Sequence, residues 1–131
     1  MSRFVASLAA AGIALSGVSA HAETAQERAE ARFAELTEGR EAGEPQACVP
    51  AFRTNDIEVI DNLGIVYERG DTIWIARAVN PRSLGRSDIP VIDRFGGSLC
   101  SFDVIRTIDR STRFATGAVL LEDFVPYVKQ G

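Results

Sequence analysis

Two cysteines, Cys48 and Cys100, set the tightest limit on how this chain can fold. The chain holds no others. A bridge between them would close a loop of about 52 residues, for which chain entropy predicts a stabilisation of about 4 kcal/mol. Two thiolates cannot complete a tetrahedral zinc site on their own. A catalytic thiol would lack its usual imidazole partner. The pair therefore favours a structural disulfide over a metal site or a catalytic thiol.

The N terminus predicts the oxidising compartment that such a bridge needs. Arg3 supplies a positive start, residues 4–15 form an apolar run, and Ala20-His21-Ala22 matches the cleavage pattern of a signal peptide. The run is shorter than the roughly 20 residues that cross a bilayer. We expect cleavage between Ala22 and Glu23, a periplasmic or secreted protein, and no membrane span after cleavage. An uncleaved anchor is the alternative.

Cleavage would also change the chemistry that the chain carries. It would remove the only histidine, the only methionine and one of the 14 basic residues, while all 18 acidic residues would remain. Without imidazole the mature chain has no Ser-His-Asp triad, no His-ligated metal and no imidazole proton shuttle. Its negative net charge disfavours nucleic-acid binding. We expect no cofactor.

The chain divides into a predicted signal peptide (1–22), a helix with a linker (23–47) and a β-rich domain (48–131). Thr24 and Glu27 match a capping box at the start of the helix. Apolar residues then recur at helical spacing, and Gly39 is a plausible stop. These apolar positions are Ala25, Ala29, Phe33 and Leu36. Residues 40–46 are polar and predict the linker.

From Cys48 onward, short apolar runs alternate with turn residues. Five to seven strands at this spacing predict a mainly β fold, a small antiparallel sandwich or barrel with one N-terminal helix and one disulfide. Residues 72–79 are apolar on both faces, which is typical of a central strand covered on both sides. Pro126 interrupts residues 124–128, so this segment is expected at a sheet edge.

A wider pattern of structural residues extends from Arg32 to Tyr127. It consists of Cys48-Val49-Pro50, Ile60-Asp61, Ile65-Val66-Tyr67, residues 84–89, Leu99-Cys100 and Phe124-Val125-Pro126-Tyr127. This pattern resembles a family of small exported proteins of sphingomonad-type proteobacteria. The resemblance implies export and paired cysteines. Since the family is functionally uncharacterised, it implies no activity, cofactor or site residue.

Arginine supplies nearly all of the positive charge, and Lys129 is the only lysine. Guanidinium groups suit bidentate binding of carboxylates and phosphates, so several arginines are candidate contacts for a small anion. These candidates are Arg77, Arg82, Arg86 and Arg106. The simpler interpretation is surface ion pairing with nearby aspartates, namely Asp88, Asp93, Asp103 and Asp109.

The function predicted from these patterns is a non-enzymatic binding or accessory protein of the cell envelope. Its partner would be an envelope protein or a small anionic ligand. The alternative is a carrier of small ligands or anions in a barrel interior. A third interpretation is a hydrolase with two carboxylates, although their spacing singles out no pair. Aromatic residues exposed together would mark an interaction surface.

Overall fold

The computed structural model describes Gly17 and residues 22–51, 56–93 and 96–131. Most of the predicted signal peptide therefore lies outside the described residues. Ala22 and Glu23 are exposed and precede the first helix. Within the described part of the chain, no helix is long and apolar enough to cross a membrane.

The described chain contains one α-helix, a short 3₁₀ turn and ten strands. The helix α1 spans Ala25–Thr37, and the 3₁₀ turn spans Pro81–Ser83. The first five strands are β1 (Arg40–Ala42), β2 (Cys48–Val49), β3 (Ile57–Ile60), β4 (Gly64–Arg69) and β5 (Thr72–Arg77). The last five are β6 (Asp88–Ile92), β7 (Leu99–Cys100), β8 (Ile105–Asp109), β9 (Ala115–Val119) and β10 (Val125–Lys129).

These strands form three antiparallel sheets. The largest has the order β1-β10-β5-β4-β3, a second has the order β6-β8-β9, and β2 pairs with β7 alone. The prediction of a mainly β, antiparallel fold with one helix is confirmed. The sheets do not close on themselves. The barrel alternative is therefore wrong, because edge strands stay at both ends of the two larger sheets.

The helix begins and ends where the sequence predicts. The Thr24 hydroxyl accepts a hydrogen bond from the Glu27 amide at 3.1 Å, and the Glu27 carboxylate accepts one from the Thr24 amide at 2.7 Å. This bond from the Thr24 amide holds the pKa of Glu27 below its usual value. Gly39 has φ +69°, a left-handed conformation that suits glycine after a helix.

The helix covers one face of the five-stranded sheet. Ala29 is buried there, and Phe33 and Leu36 pack against the same cluster. The sheet and its β3–β4 turn contribute the remaining members, which are Ile60, Leu63, Val66, Ile73 and Ile75, with Tyr127 partly buried beside them. Phe33 meets Tyr127 edge to face at 5.8 Å between ring centroids. The helix and the sheet thus form the first two layers of the molecule.

The opposite face of the five-stranded sheet packs against the two smaller sheets. Tyr67 and Ala76 from the large sheet share one buried cluster with Ile105 and Val119 from the three-stranded sheet. Phe124 lies in this cluster with no exposed surface. β4 and β5 contribute buried side chains to the clusters on both faces. The prediction of a central strand is confirmed for β5, which ends at Arg77, while Val79 lies beyond it and is exposed.

The cysteine pair joins the two shortest strands. Cys48 lies directly opposite Cys100 in the β2–β7 pair, and their sulfurs are bonded at 2.09 Å. The neighbouring residues Val49 and Leu99 are buried in the core between the sheets. The predicted disulfide is confirmed, and it ties the start of the β-rich region to its middle.

Two details differ from the sequence-based expectations. Residues 124–128 are not an edge segment, because β10 lies between β1 and β5. The edge is instead β1, which forms from the first part of the predicted linker. Pro126 is tolerated because it lies just past the last β1 pair, where its carbonyl accepts a hydrogen bond from the Gly43 amide at 2.8 Å.

Candidate functional site

The three-stranded sheet presents one face to the core and the other away from it. Ile105 and Val119 are directly opposite one another and point into the core. Since side chains alternate along a strand, their neighbours point outward. We call this second surface the outer face. From the strand pairing it comprises Ile89, Val91, Val104, Arg106, Ile108, Ala115, Ala118 and Leu120, with Val79 beside Leu120.

The outer face carries a row of exposed aliphatic side chains. The Val79 amide donates to the Leu120 carbonyl at 2.8 Å. Leu120 directly follows β9 and Val104 directly precedes β8, next to the Ile105–Val119 pair. Val79, Val104 and Leu120 are 59%, 58% and 61% exposed. Neighbouring strands lie about 5 Å apart, so the three side chains form a continuous apolar strip. Contiguous exposure of this kind marks interaction surfaces on soluble proteins.

Arg106 is the charged member of the outer face, and it is already paired. Its Nη2 and Nε atoms donate to the Asp93 carboxylate at 2.6 Å and 3.2 Å. This Arg106–Asp93 pair agrees with the simpler interpretation of the sequence, surface ion pairing. The aliphatic part of the Arg106 side chain adds to the apolar surface of the outer face.

The turn between β8 and β9 forms a positive rim at one end of the outer face. Arg110 and Arg113 are exposed there, and neither forms an ion pair among the described residues. Phe114 follows them and is 76% exposed. Asp109 turns its carboxylate inward, toward the amides and hydroxyls of Ser111 and Thr112. The hydrogen bonds thereby hold the Asp109 carboxylate within the turn.

These hydrogen bonds predict an unusually acidic carboxyl group at Asp109. The bond from the Thr112 amide, followed by those from Ser111, lowers the pKa of Asp109 to about 2. The pKa of Asp109 in the folded protein lies below the ordinary 3.8, so the ionised carboxylate stabilises the folded protein. This stabilisation is complete above pH 4 and is lost as the pH falls through 2. An NMR titration should give a midpoint near 2.

The Ser111→Ala variant should move the Asp109 midpoint upward, because it removes a hydroxyl donor at 2.7 Å. Ser101→Ala is the matched control, since the Ser101 hydroxyl donates to Asp123 instead. A midpoint near 3.8 in the unmodified protein would show that the turn does not bind the Asp109 carboxylate.

Arg77 lies at the end of β5, two residues before Val79, and is also engaged. Its guanidinium donates to both oxygens of Glu30 on the helix, at 2.8 Å and 3.1 Å. It also lies 4.1 Å from the ring centroid of Phe33. The hydrogen bonds raise the pKa of Arg77 and lower that of Glu30. Arg77 therefore holds the helix against the sheet. Its guanidinium group is already bound to the Glu30 carboxylate of the same chain.

Arg82 and Arg86 lie on the loop between β5 and β6, and both are exposed. Arg82 is in the 3₁₀ turn, whose start is capped by the Asn80 side chain. Arg86 lines an open cleft of about 310 Å³ beside the first turns of the helix, together with Arg28 and Arg32. The structure thus does not bring the four predicted arginines together. It groups one of them with two helical arginines instead.

Sequence reasoning missed Arg28 and Arg32, although a usable signal was present. Their spacing of four residues places both guanidinium groups on one face of the predicted helix. The partner loop could not be predicted, because Arg86 is distant in the sequence. Hydrogen bonds of Asn62 to Leu84 and Pro81 hold that loop beside the β3–β4 turn.

Comparisons with protein-family models, with curated proteins and with solved structures find no match. Within the described part of the chain, no group of three or more His, Cys, Asp or Glu side chains could hold a metal ion. The resemblance to small exported proteins stays a prediction.

Proposed function

We propose that the chain is a non-enzymatic binding protein of the cell envelope, which docks a partner protein on its outer face. The observation that carries this proposal is the exposed strip of Val79, Val104 and Leu120. Leaving three neighbouring aliphatic side chains in water gives up hydrophobic stabilisation that burial would supply, at roughly 25 cal/mol per Å². A partner that covers the strip recovers that stabilisation.

Charge and shape favour a protein as the occupant. The strip lies on a strand surface, where a second protein surface can pack closely. Arg106 on the outer face is compensated by Asp93, while Arg110 and Arg113, unpaired among the residues that the structure describes, lie at the other end of that face from the strip. The partner therefore has an apolar surface that covers the strip. The negative net charge of the chain disfavours an anionic lipid surface as the occupant.

Export is part of this proposal. It is supported by the signal-peptide pattern of residues 1–22 and by the disulfide, which is typical of oxidising compartments. Cleavage after Ala22 would leave the helix cap intact, because the capping residue is Thr24. The partner then belongs to the periplasm or the cell surface.

A charge placed on the strip tests the proposal. We expect Leu120→Arg to release the protein from its complex, because the guanidinium would be buried without a partner. A low-salt periplasmic extract is run on a size-exclusion column, and the elution volume of the protein is measured. Wild type should elute with its partner and Leu120→Arg as a monomer.

Glu35→Arg is the matched control, since it also adds a guanidinium, on the exposed surface of the helix. It should elute like wild type. Circular dichroism and the melting temperature establish that both variants are folded. Co-elution of Leu120→Arg with the wild-type complex would overturn the proposal. So would an apparent size that purified protein reproduces by itself, because the occupant would then be a second copy.

A further inference from the structure

We infer that the cleft between the helix and the β3–β4 turn binds a small organic anion. This inference concerns a different layer of the molecule from the outer face and is independent of the proposed function. The cleft is open, has a volume of about 310 Å³ and is lined by three guanidinium groups. A volume near 300 Å³ lies at the lower end of the range for small-molecule sites.

The guanidinium groups of the cleft are not fully neutralised by the chain. Arg28 donates to the backbone carbonyl of Glu23 at 3.3 Å and forms no ion pair among the described residues. Arg86 likewise has no carboxylate within ion-pair distance in the described chain. Arg32 lies 3.2 Å from Glu35 and 3.6 Å from Glu58. Within the part of the chain that the structure describes, Arg28 and Arg86 are thus the guanidinium groups of the cleft without an ion pair, and the lining as a whole has three arginines against two carboxylates.

The remaining walls define the kind of anion. Ala25, Ala29, Val59 and Ile60 are the apolar residues of the lining. Glu58 and Asp61 add two carboxylates. These carboxylates disfavour a polyanion, while the apolar residues suit a nonpolar body. The cleft therefore fits a ligand with a single carboxylate or phosphate group, held by Arg28 and Arg86 through charge-assisted hydrogen bonds.

The two oxyanions share this chemistry, and an experiment separates them. The probes are benzoate, phenyl phosphate and inorganic phosphate, with neutral benzamide for comparison. Each is titrated into the folded protein while amide shifts of Ala29 and Asn62 are recorded by NMR. We expect saturable shifts with benzoate or phenyl phosphate, weaker binding as salt is raised, and no saturation with benzamide. Saturation by inorganic phosphate alone would refute the requirement for a nonpolar body.

Charge-neutral variants locate the binding. Arg28→Gln and Arg86→Gln should each weaken binding by about tenfold, since each removes a charge-assisted contact. Arg69→Gln is the matched control, because Arg69 is an exposed arginine in the β4–β5 hairpin. It should bind like wild type. Equal affinity in all three variants, saturation with benzamide, or no saturation with either organic anion would overturn the inference.

Discussion

Replacing Phe124 with alanine is expected to lower the free energy of unfolding by about 3–5 kcal/mol, as is typical of fully buried aromatic residues. Phe124 has no exposed surface and lies in the cluster that joins the sheets. Its amide and carbonyl also bond to Gln46, which aligns the segment before the first cysteine. The alanine variant leaves a cavity where these sheets meet. Urea unfolding followed by circular dichroism measures the loss.

Phe114→Ala is the matched control for this measurement. Phe114 is largely exposed, so its replacement should change the free energy of unfolding by no more than about 0.5 kcal/mol. If Phe124→Ala leaves too little folded protein to measure, Phe124→Leu keeps more of the volume and should be intermediate. Equal unfolding of Phe124→Ala and Phe114→Ala would contradict the placement of the core.

Removing the disulfide has the second large effect. Changing Cys48 and Cys100 together to alanine should cost about 2–5 kcal/mol, as is typical of small secreted domains. The bridge limits the unfolded chain across a sequence separation of 52 residues. In the folded state it holds β2 and β7, which are only two residues long and form a sheet by themselves. The double variant should therefore melt at a clearly lower temperature.

Reduction of the wild-type protein provides the control for this variant. Wild type under a strong reductant and the double alanine variant should unfold at similar urea concentrations. Wild type without reductant should unfold at a higher one. A melting temperature of the double variant equal to that of the oxidised wild type would show that the bridge contributes nothing to stability.

Much of the fold could be predicted from local patterns. The capping box at Thr24, the left-handed Gly39 and the two-sided apolar run of β5 are short-range signals, and each is present in the structure. The disulfide could be predicted because no other cysteine competes for either partner.

The errors arose where pairing between distant segments decides the outcome. β1 consists of two charged residues and one alanine and carries no apolar alternation, and it is a strand only because β10 lies beside it. The same pairing moves residues 124–128 from the edge to the interior of the sheet. Pro126 misled the prediction, since the position of its missing amide relative to β1 depends on the fold.

The same contrast between local patterns and distant pairing applies to the candidate surfaces. Arginine richness in the sequence suggested anion binding, but only the structure shows that Arg77 and Arg106 are bound to carboxylates of the chain. The outer face could not be predicted, because alternation along a strand does not say which side the core covers. Val104 and Leu120 are ordinary strand residues in the sequence. Their exposure becomes informative once the β8–β9 register is known.

Photo-crosslinking from position 120 in growing cells tests the docking proposal most directly. A photoreactive amino acid replaces Leu120 in one variant and Glu35 in the other, and crosslinked peptides are identified by mass spectrometry. We expect one envelope protein crosslinked from position 120 alone, through an apolar segment. Crosslinks from position 120 to lipid, to a second copy of the chain or to nothing would contradict it, as would the same partner at both positions.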